Sequence, residues 1–133
     1  MQIVTLYLST ALVFLAADAV MLNTVMRPLF ERHLGDILRS PIDVGSAVAF
    51  YLVYIGGLLW LVSWSALQDD APSQALIGGA VLGAMAYGTY EFTNKATIRG
   101  WDWSMVATDW AWGTVLTGGA ALAGVLITRW IHG

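Results

Sequence analysis

The chain has 133 residues, of which 58% are hydrophobic and only 11% charged. Soluble domains have roughly 45–50% apolar and about 25% charged residues, so this composition and the mean hydropathy of +0.68 exclude an ordinary soluble domain and favour a membrane protein. The absence of cysteine excludes disulfides, thiolate metal sites and cysteine nucleophiles, and a net charge of -3 with scattered basic residues lacks the electrostatic footprint of a nucleic-acid-binding protein.

Four apolar segments are long enough to cross a bilayer, which takes about 20 helical residues. Helices are expected because lipid cannot satisfy the open edge of a sheet. We therefore predict an all-α, polytopic membrane protein in which a four-transmembrane-helix bundle forms a single domain over residues 1–133. The predicted helices are about 3–22, 44–67, 73–92 and 105–130. The first segment lacks the basic start of a signal peptide, so we expect it to be retained.

The first connection, residues 23–43, is long and mixes charged with apolar residues. The apolar residues recur at helical spacing, which predicts either a short amphipathic helix at the membrane interface or a solvated connector. They are Leu29, Phe30, Leu34, Ile37 and Leu38. Asp43, before the second helix, and Asp102, before the fourth, are expected at the interface or as N-caps.

The basic residues predict the orientation of the chain, because cytoplasmic loops carry an excess of Lys and Arg. The first and third connections contain five of the six, and the opposite side contains only Arg129. The five are Arg27, Arg32, Arg39, Lys95 and Arg99. We therefore predict a multi-pass protein of the inner (cytoplasmic) membrane with both termini on the non-cytoplasmic side.

Seven tryptophans lie near the predicted helix ends, where indole rings commonly form interfacial belts. Trp110 and Trp112 flank Asp109 one turn inside the fourth helix, so for these two a packing or ligand-facing role is also open. The other five are Trp60, Trp64, Trp101, Trp103 and Trp130.

Small residues share one face of the third helix and one face of the fourth. Gly79 and Gly83 are followed at further steps of four by Tyr87, Glu91 and Lys95 on the same face. The fourth helix has a matching stripe, which predicts close packing of the two helices. That stripe consists of Gly113, Thr117, Ala120 or Ala121, and Gly124.

Three acids lie about one turn inside the predicted inner ends of helices one, three and four: Asp18, Glu91 and Asp109. A charged side chain costs roughly 2.5–3.5 kcal/mol at the bilayer centre and less towards the interface. We therefore expect the acids to face inward, either neutralised by Lys95 and Arg99 or partly protonated. The cluster is interpreted either as a structural lock between helices or as a functional site.

Other chemistries have little support in the sequence. His33 and His132 are expected on opposite faces of the membrane, which disfavours a paired-histidine metal site, and no cofactor is predicted. The sequence contains no nucleophile elbow, zinc-protease helix, phosphate-binding loop or dinucleotide fingerprint. A carboxylate cluster can hold Mg²⁺, and Lys95 with Arg99 can hold a lipid phosphate, but neither pattern is specific.

Two blocks carry a family resemblance: ADAVMLNTVMRPLFERHLG, and YEFTNKATIRGW followed by TDWAWG. Together they resemble the bacterial family of predicted membrane proteins called domain of unknown function 2177. The resemblance implies a four-helix membrane protein and no established activity. Met21–Leu22 depart from the pattern, which has an aromatic residue beside the first acid. The pattern otherwise falls on Asp18, Gly35, Tyr90, Glu91, Thr93, Asn94, Ala96, Thr97, Asp109, Trp112 and Gly113.

The leading hypothesis is a cytoplasmic-side polar pocket that binds or transports a small amphipathic or lipid-like ligand. Asp18, Glu91 and Asp109 form its ionisable core. Asn94 and Thr97 are expected to donate hydrogen bonds, and Lys95 and Arg99 to balance charge or hold an anionic head group. The remaining predicted ligand-binding residues are Tyr54, Tyr87, Tyr90 and Trp112.

Two other functions stay open. A membrane enzyme of lipid modification would use Glu91 or Asp109 as general base. An accessory or assembly subunit of a larger membrane complex would use the acids only to lock its helices. The expected partners are membrane lipids, with a possible homo-oligomer or larger complex and no nucleic acid.

Overall fold

The computed structural model describes residues 1–34 and 44–133, without the side chains of Leu34 and Val44. These residues are almost entirely helical and contain no strand. Two short π-helical turns, Leu22–Met26 and Leu59–Ser63, continue the helices before them without a break, so the described residues form four long helical rods. The α-helices are α1 (Gln2–Met21), α2 (Arg27–Leu34), α3 (Val44–Leu58), α4 (Trp64–Gln68), α5 (Pro72–Thr97) and α6 (Trp103–His132).

Three of these rods are long and apolar enough to cross a membrane: Gln2–His33, Gly45–Gln68 and Trp103–His132. The fourth rod, α5, is 26 residues long but is rich in glycine, alanine and threonine and ends in a polar block. A multi-pass arrangement follows from the three apolar rods. The fourth crossing and the side on which the termini lie stay predictions.

Helices α5 and α6 approach each other almost backbone to backbone, as their small residues predict. A Cβ built on Gly79 would lie 2.9 Å from both the Cα of Gly118 and the carbonyl oxygen of Thr117. A Cβ built on Gly83 would collide with the carbonyl oxygen of Gly113 and with Thr117. Because no larger residue fits at these positions, the two helices keep a fixed register.

Helix α6 also packs against α1, where Gly124 lies directly under the hydroxyl of Thr10. The buried apolar core is built around this contact, and α3 contributes its own buried face to it. Helix α6 therefore packs against α5 on one side and against α1 on another, and the small residues of its stripe lie in both contacts. The largest core side chains are Leu6, Phe14, Ile55, Leu58, Leu116 and Val125.

The first rod extends well past the predicted end at residue 22, and the reason lies in the following residues. LNTVM contains no helix breaker, so the chain continues as a π-helical turn directly before Pro28. Proline has no N–H to donate to the carbonyl four residues earlier, and a π-turn accommodates that missing bond. The ring of Phe30 then meets Trp101 edge-on at a centroid distance of 5.3 Å, which attaches α2 to the turn before α6.

Only part of the first connection can be compared with the expectation of an amphipathic helix. In α2, Leu29 is buried and Phe30 half-buried, whereas Glu31 and Arg32 are exposed. The other positions invoked for this connection lie outside the described residues. They are the side chain of Leu34, and Gly35, Ile37, Leu38, Arg39 and Asp43.

The turn between α5 and α6 reverses the chain over only five residues. Gly100 has a φ of 86°, a left-handed conformation that glycine adopts without strain. Asp102 then caps α6 by accepting a hydrogen bond from the backbone N–H of Ser104 at 2.9 Å. Hydrogen bonds from the Ser104 hydroxyl and backbone lower the pKa of Asp102 from its ordinary value, which favours the ionised cap.

The opposite turn, between α4 and α5, is closed by an ion pair. Asp70 has a φ of 55° and accepts a bond of 2.8 Å from the Nε of Arg129 near the end of α6. At the same end, the hydroxyl of Thr5 lies 2.8 Å from Nε2 of His132. We call this end of the bundle the far end. The opposite end, where the turn of residues 98–102 joins α5 to α6, is called the acidic end.

Candidate functional site

Asp18 lies inside the bundle on α1, with only 4% of its surface exposed. The indole N–H of Trp112 on α6 donates to its Oδ1 at 3.1 Å. The hydroxyl of Tyr51 on α3 approaches the same carboxyl group. Its Oδ2 is buried and has no hydrogen-bond partner. Three helices thus converge on one carboxyl group, which is only partly satisfied.

Glu91 on α5 is fully buried. The indole N–H of Trp101 donates to its Oε1 at 2.8 Å, and its Oε2 is buried without a hydrogen-bond partner. The Trp101 ring is fixed by edge contacts with Phe30 and Tyr90, at centroid distances of 5.3 and 5.9 Å. The Glu91 side chain therefore has a well-defined position within the last two turns of α5.

Asp109 is half-buried on α6, near enough to Glu91 for the two carboxyl groups to interact electrostatically. Two carboxylates in such proximity repel each other. Asp18 is near enough for its charge to act on Asp109. The structure thus brings together the three predicted acids. We call Asp18, Glu91 and Asp109 the carboxyl cluster.

Aromatic side chains from α1, α3 and α5 pack against one another near the carboxyl cluster. The hydroxyls of Tyr54 and Thr117 are 3.0 Å apart, and the Tyr54 ring meets Tyr87 edge-on at a centroid distance of 6.3 Å. Tyr87 lies flat under Gly113, where a Cβ would overlap its ring. Phe14 contacts Tyr54 at 5.8 Å. These contacts form an aromatic layer that is apolar except for its hydroxyl groups.

Four of the predicted site residues lie apart from the cluster. The Nζ of Lys95 is 5.0 Å from the centroid of the Trp103 ring, and Arg99 is exposed. The hydroxyl of Thr97 donates to the carbonyl oxygen of Thr93 in the last turn of α5. Asn94 is half-buried beside Tyr90, whose side chain is half-exposed near the edge of the cluster.

Of the two expected ways of balancing the acids, neutralisation by Lys95 and Arg99 is not observed among the described residues, and partial protonation stays a prediction. The acids receive hydrogen bonds from the neutral indoles of Trp101 and Trp112. Glu91 and Lys95 share one face of α5, but the Glu91 carboxyl group is fully buried against Trp101, whereas the Nζ of Lys95 lies over the exposed ring of Trp103.

Two residues that contact the cluster were not among the predicted site residues: Trp101, which was assigned to an interfacial belt, and Tyr51. One available signal is Gly100, because a glycine shortly after a helix favours a left-handed turn that reverses the chain. Trp101 reaches Glu91, ten positions earlier, in this way. Tyr51 and Tyr54 are three residues apart, which places both phenols on the same side of the helix, although only Tyr54 was assigned to the site.

The described residues contain no group of three or more His, Asp or Glu side chains arranged to hold a metal ion. His33 lies 3.9 Å from Asp102 at the acidic end, and His132 lies at the far end. An open, largely apolar groove of about 460 Å³ also lies towards the far end, between α1 and the α3–α4 rod. It is lined by Ile3, Val4, Tyr7, Leu8, Gly56, Leu59, Trp60 and Trp64.

A comparison with models of known protein families matches residues 3–126 to a family described as "Predicted membrane protein (DUF2177)". The chain belongs to this family. The match covers nearly the whole sequence, including all three members of the carboxyl cluster, and it confirms the resemblance of the two sequence blocks. No curated protein and no solved structure matches the chain. Membership of the DUF2177 family identifies a membrane protein and assigns it no activity.

Proposed function

We propose that this member of the DUF2177 family binds or transports a small amphipathic or lipid-like ligand at the carboxyl cluster. The observation that carries the proposal is the pair of buried oxygens, Asp18 Oδ2 and Glu91 Oε2, that have no hydrogen-bond partner. Leaving such atoms unpaired costs about 1–3 kcal/mol each, and more when the group is charged. A polar group of a ligand would supply the missing partner.

The surroundings of the cluster favour a ligand with both polar and apolar parts. Tyr51 and Tyr87 lie near the carboxyl groups, and Tyr90 and Trp110 are the more exposed aromatic residues beside them. The indole N–H of Trp110 donates to the carbonyl oxygen of Ala84, which fixes that ring against α5. An apolar chain could leave between these rings towards lipid while the head group stays at the carboxyl groups.

The proposed setting is a four-helix bundle in the inner membrane with the carboxyl cluster near its cytoplasmic face. The acidic end carries Arg27, Lys95 and Arg99, whereas the far end carries Arg129. Cytoplasmic loops are enriched in Lys and Arg, so this distribution supports a cluster open to the cytoplasmic leaflet.

The test is ligand binding by purified protein in an uncharged detergent, using the fluorescence change of an alkyl-chain probe. Glu91→Gln and Asp109→Asn are expected to weaken binding about tenfold or more, because each removes a carboxylate from the cluster. Asp69→Asn, an equal charge change in the exposed turn at the far end, serves as control and is expected to bind as the wild type. Unchanged binding in both cluster variants, with normal thermal unfolding, contradicts the proposal.

A further inference from the structure

Resting on the proposed function, we propose that the ligand's head group is an organic cation: a protonated amine or a quaternary ammonium group. The carboxyl cluster supplies the counter-charge and the aromatic layer supplies ring faces. The ligand class is thus an alkyl chain with a cationic nitrogen at one end.

The charge around the cluster is the first argument. Among residues 1–34 and 44–133, no basic side chain contacts Asp18, Glu91 or Asp109. The cations near the acidic end have other neighbours: Arg27 pairs with Glu31 at 3.0 Å, and Lys95 lies on Trp103. Within the described residues, the carboxyl cluster therefore has no basic side chain as a counter-charge.

The hydrogen bonds to the cluster are the second argument. Trp101 and Trp112 each donate one neutral N–H, which stabilises a carboxylate without cancelling its charge. One buried oxygen of Asp18 and one of Glu91 stay unpartnered. A carboxylate oxygen accepts hydrogen bonds and cannot donate them, so the partner that the carboxylate form of these groups fits is a donor or a cation and not an anion.

The aromatic layer is the third argument, because a desolvated cation is attracted to the faces of Trp, Tyr and Phe rings. Phe14 and Tyr51 lie 5.6 Å apart on the Asp18 side, and Tyr54 and Tyr87 continue the layer towards Gly113. The protein already places one of its own cations in this way, Lys95 on Trp103 at 5.0 Å. A quaternary ammonium group, which has no N–H to donate, is held by this combination of carboxylate and ring.

An anionic head group, the alternative expected from Lys95 and Arg99, fits these positions poorly. Arg99 is exposed beyond the end of α5, and Lys95 faces Trp103 rather than the carboxyl groups. An anion drawn to these residues would lie outside the cluster, and an anion inside it would face three acids.

Three probes with the same twelve-carbon tail separate the outcomes: dodecyltrimethylammonium, dodecanol and dodecyl sulfate. Their binding to the full chain in dodecyl maltoside micelles is followed by the fluorescence of the cluster tryptophans. We expect the cation to bind about tenfold more tightly than the alcohol, because it gains one partly desolvated charge contact. The sulfate is expected to bind most weakly. Asp18→Asn and Glu91→Gln should remove this preference, whereas Asp69→Asn should keep it.

Equal affinity for the cation and the alcohol, or tighter binding of the sulfate, overturns the cationic head group and leaves the proposed function standing. Binding of none of the three probes overturns both. If a cluster variant does not fold, competition in the wild-type protein decides: tetramethylammonium chloride should displace the cationic probe at concentrations where sodium chloride does not. If both salts displace the cationic probe equally, the displacement is due to ionic screening alone, and the proposal is contradicted.

Discussion

Asp18 and Glu91, the two buried acids among residues 1–34 and 44–133, each accept a hydrogen bond from an indole N–H of α6 or of the turn before it. The Trp101–Glu91 and Trp112–Asp18 bonds link α5 and α1 to the same short stretch of chain. The positions of the acids could be predicted from the sequence, because ionisable residues inside apolar segments are rare. Of their two partners, Trp112 was among the predicted site residues, whereas Trp101 was not, because a tryptophan near a helix end equally fits an interfacial belt.

Replacing the Trp101 indole tests this residue-scale account. Trp101→Phe keeps an aromatic ring but removes the donor to Glu91, which leaves both carboxyl oxygens of a fully buried acid without an N–H partner. We expect a loss of about 1.5–3 kcal/mol in stability, measured by thermal unfolding in detergent. Trp103→Phe, at a ring that is 60% exposed, is the matched control and should change little. Equal effects of the two substitutions would show that the bond to Glu91 is not stabilising.

At the scale of the helices, the small-residue faces were predictable and the helix ends were not. Glycine at steps of four marks a face for close packing, and Gly79 and Gly83 do meet α6. The predicted helix ends were placed where the apolar segments end, at the expected membrane boundary, but a helix can continue beyond that boundary. The first rod therefore continues through α2 to Leu34, and α5 continues through the polar TNKAT block to Thr97.

Two glycine-to-alanine substitutions test the packing of α5 on α6. Gly83→Ala places a methyl group against the carbonyl oxygen of Gly113 and the side chain of Thr117, so we expect about 1–3 kcal/mol of destabilisation from overpacking. Gly119→Ala on α6 meets nothing within 4 Å, so it should be neutral or stabilise by up to about 1 kcal/mol through helix propensity. Thermal unfolding in one detergent compares them, and a Gly83→Ala variant as stable as Gly119→Ala contradicts this interface.

For the whole molecule, composition predicted a helical membrane protein, and the structure and the family match agree. Three rods meet the length and composition of membrane spans, whereas α5 does not, because the residues that build its α6 interface and its acidic end are small or polar. Apolar length therefore gives three membrane spans, whereas the described residues form four packed rods, and the difference is α5. The orientation prediction rests on basic residues alone.

Single cysteines test the orientation without background labelling, because the chain contains none of its own. Glu31→Cys lies at the acidic end and Asp69→Cys at the far end, and both positions are exposed. With a membrane-impermeant maleimide we expect Asp69→Cys to react in intact cells and Glu31→Cys only after permeabilisation. Labelling of both from the same side would contradict a crossing by the α3–α4 rod.

The central claim is that the ligand's head group lies at the carboxyl cluster and not in the apolar groove at the far end. A photoreactive alkylammonium probe, with its diazirine next to the nitrogen, tests this claim when the labelled peptides are mapped by mass spectrometry. The account predicts labelling of the segments around Tyr87 and Trp112, and its loss in Glu91→Gln. Labelling around Tyr7 and Trp60, unchanged in Glu91→Gln, would contradict it.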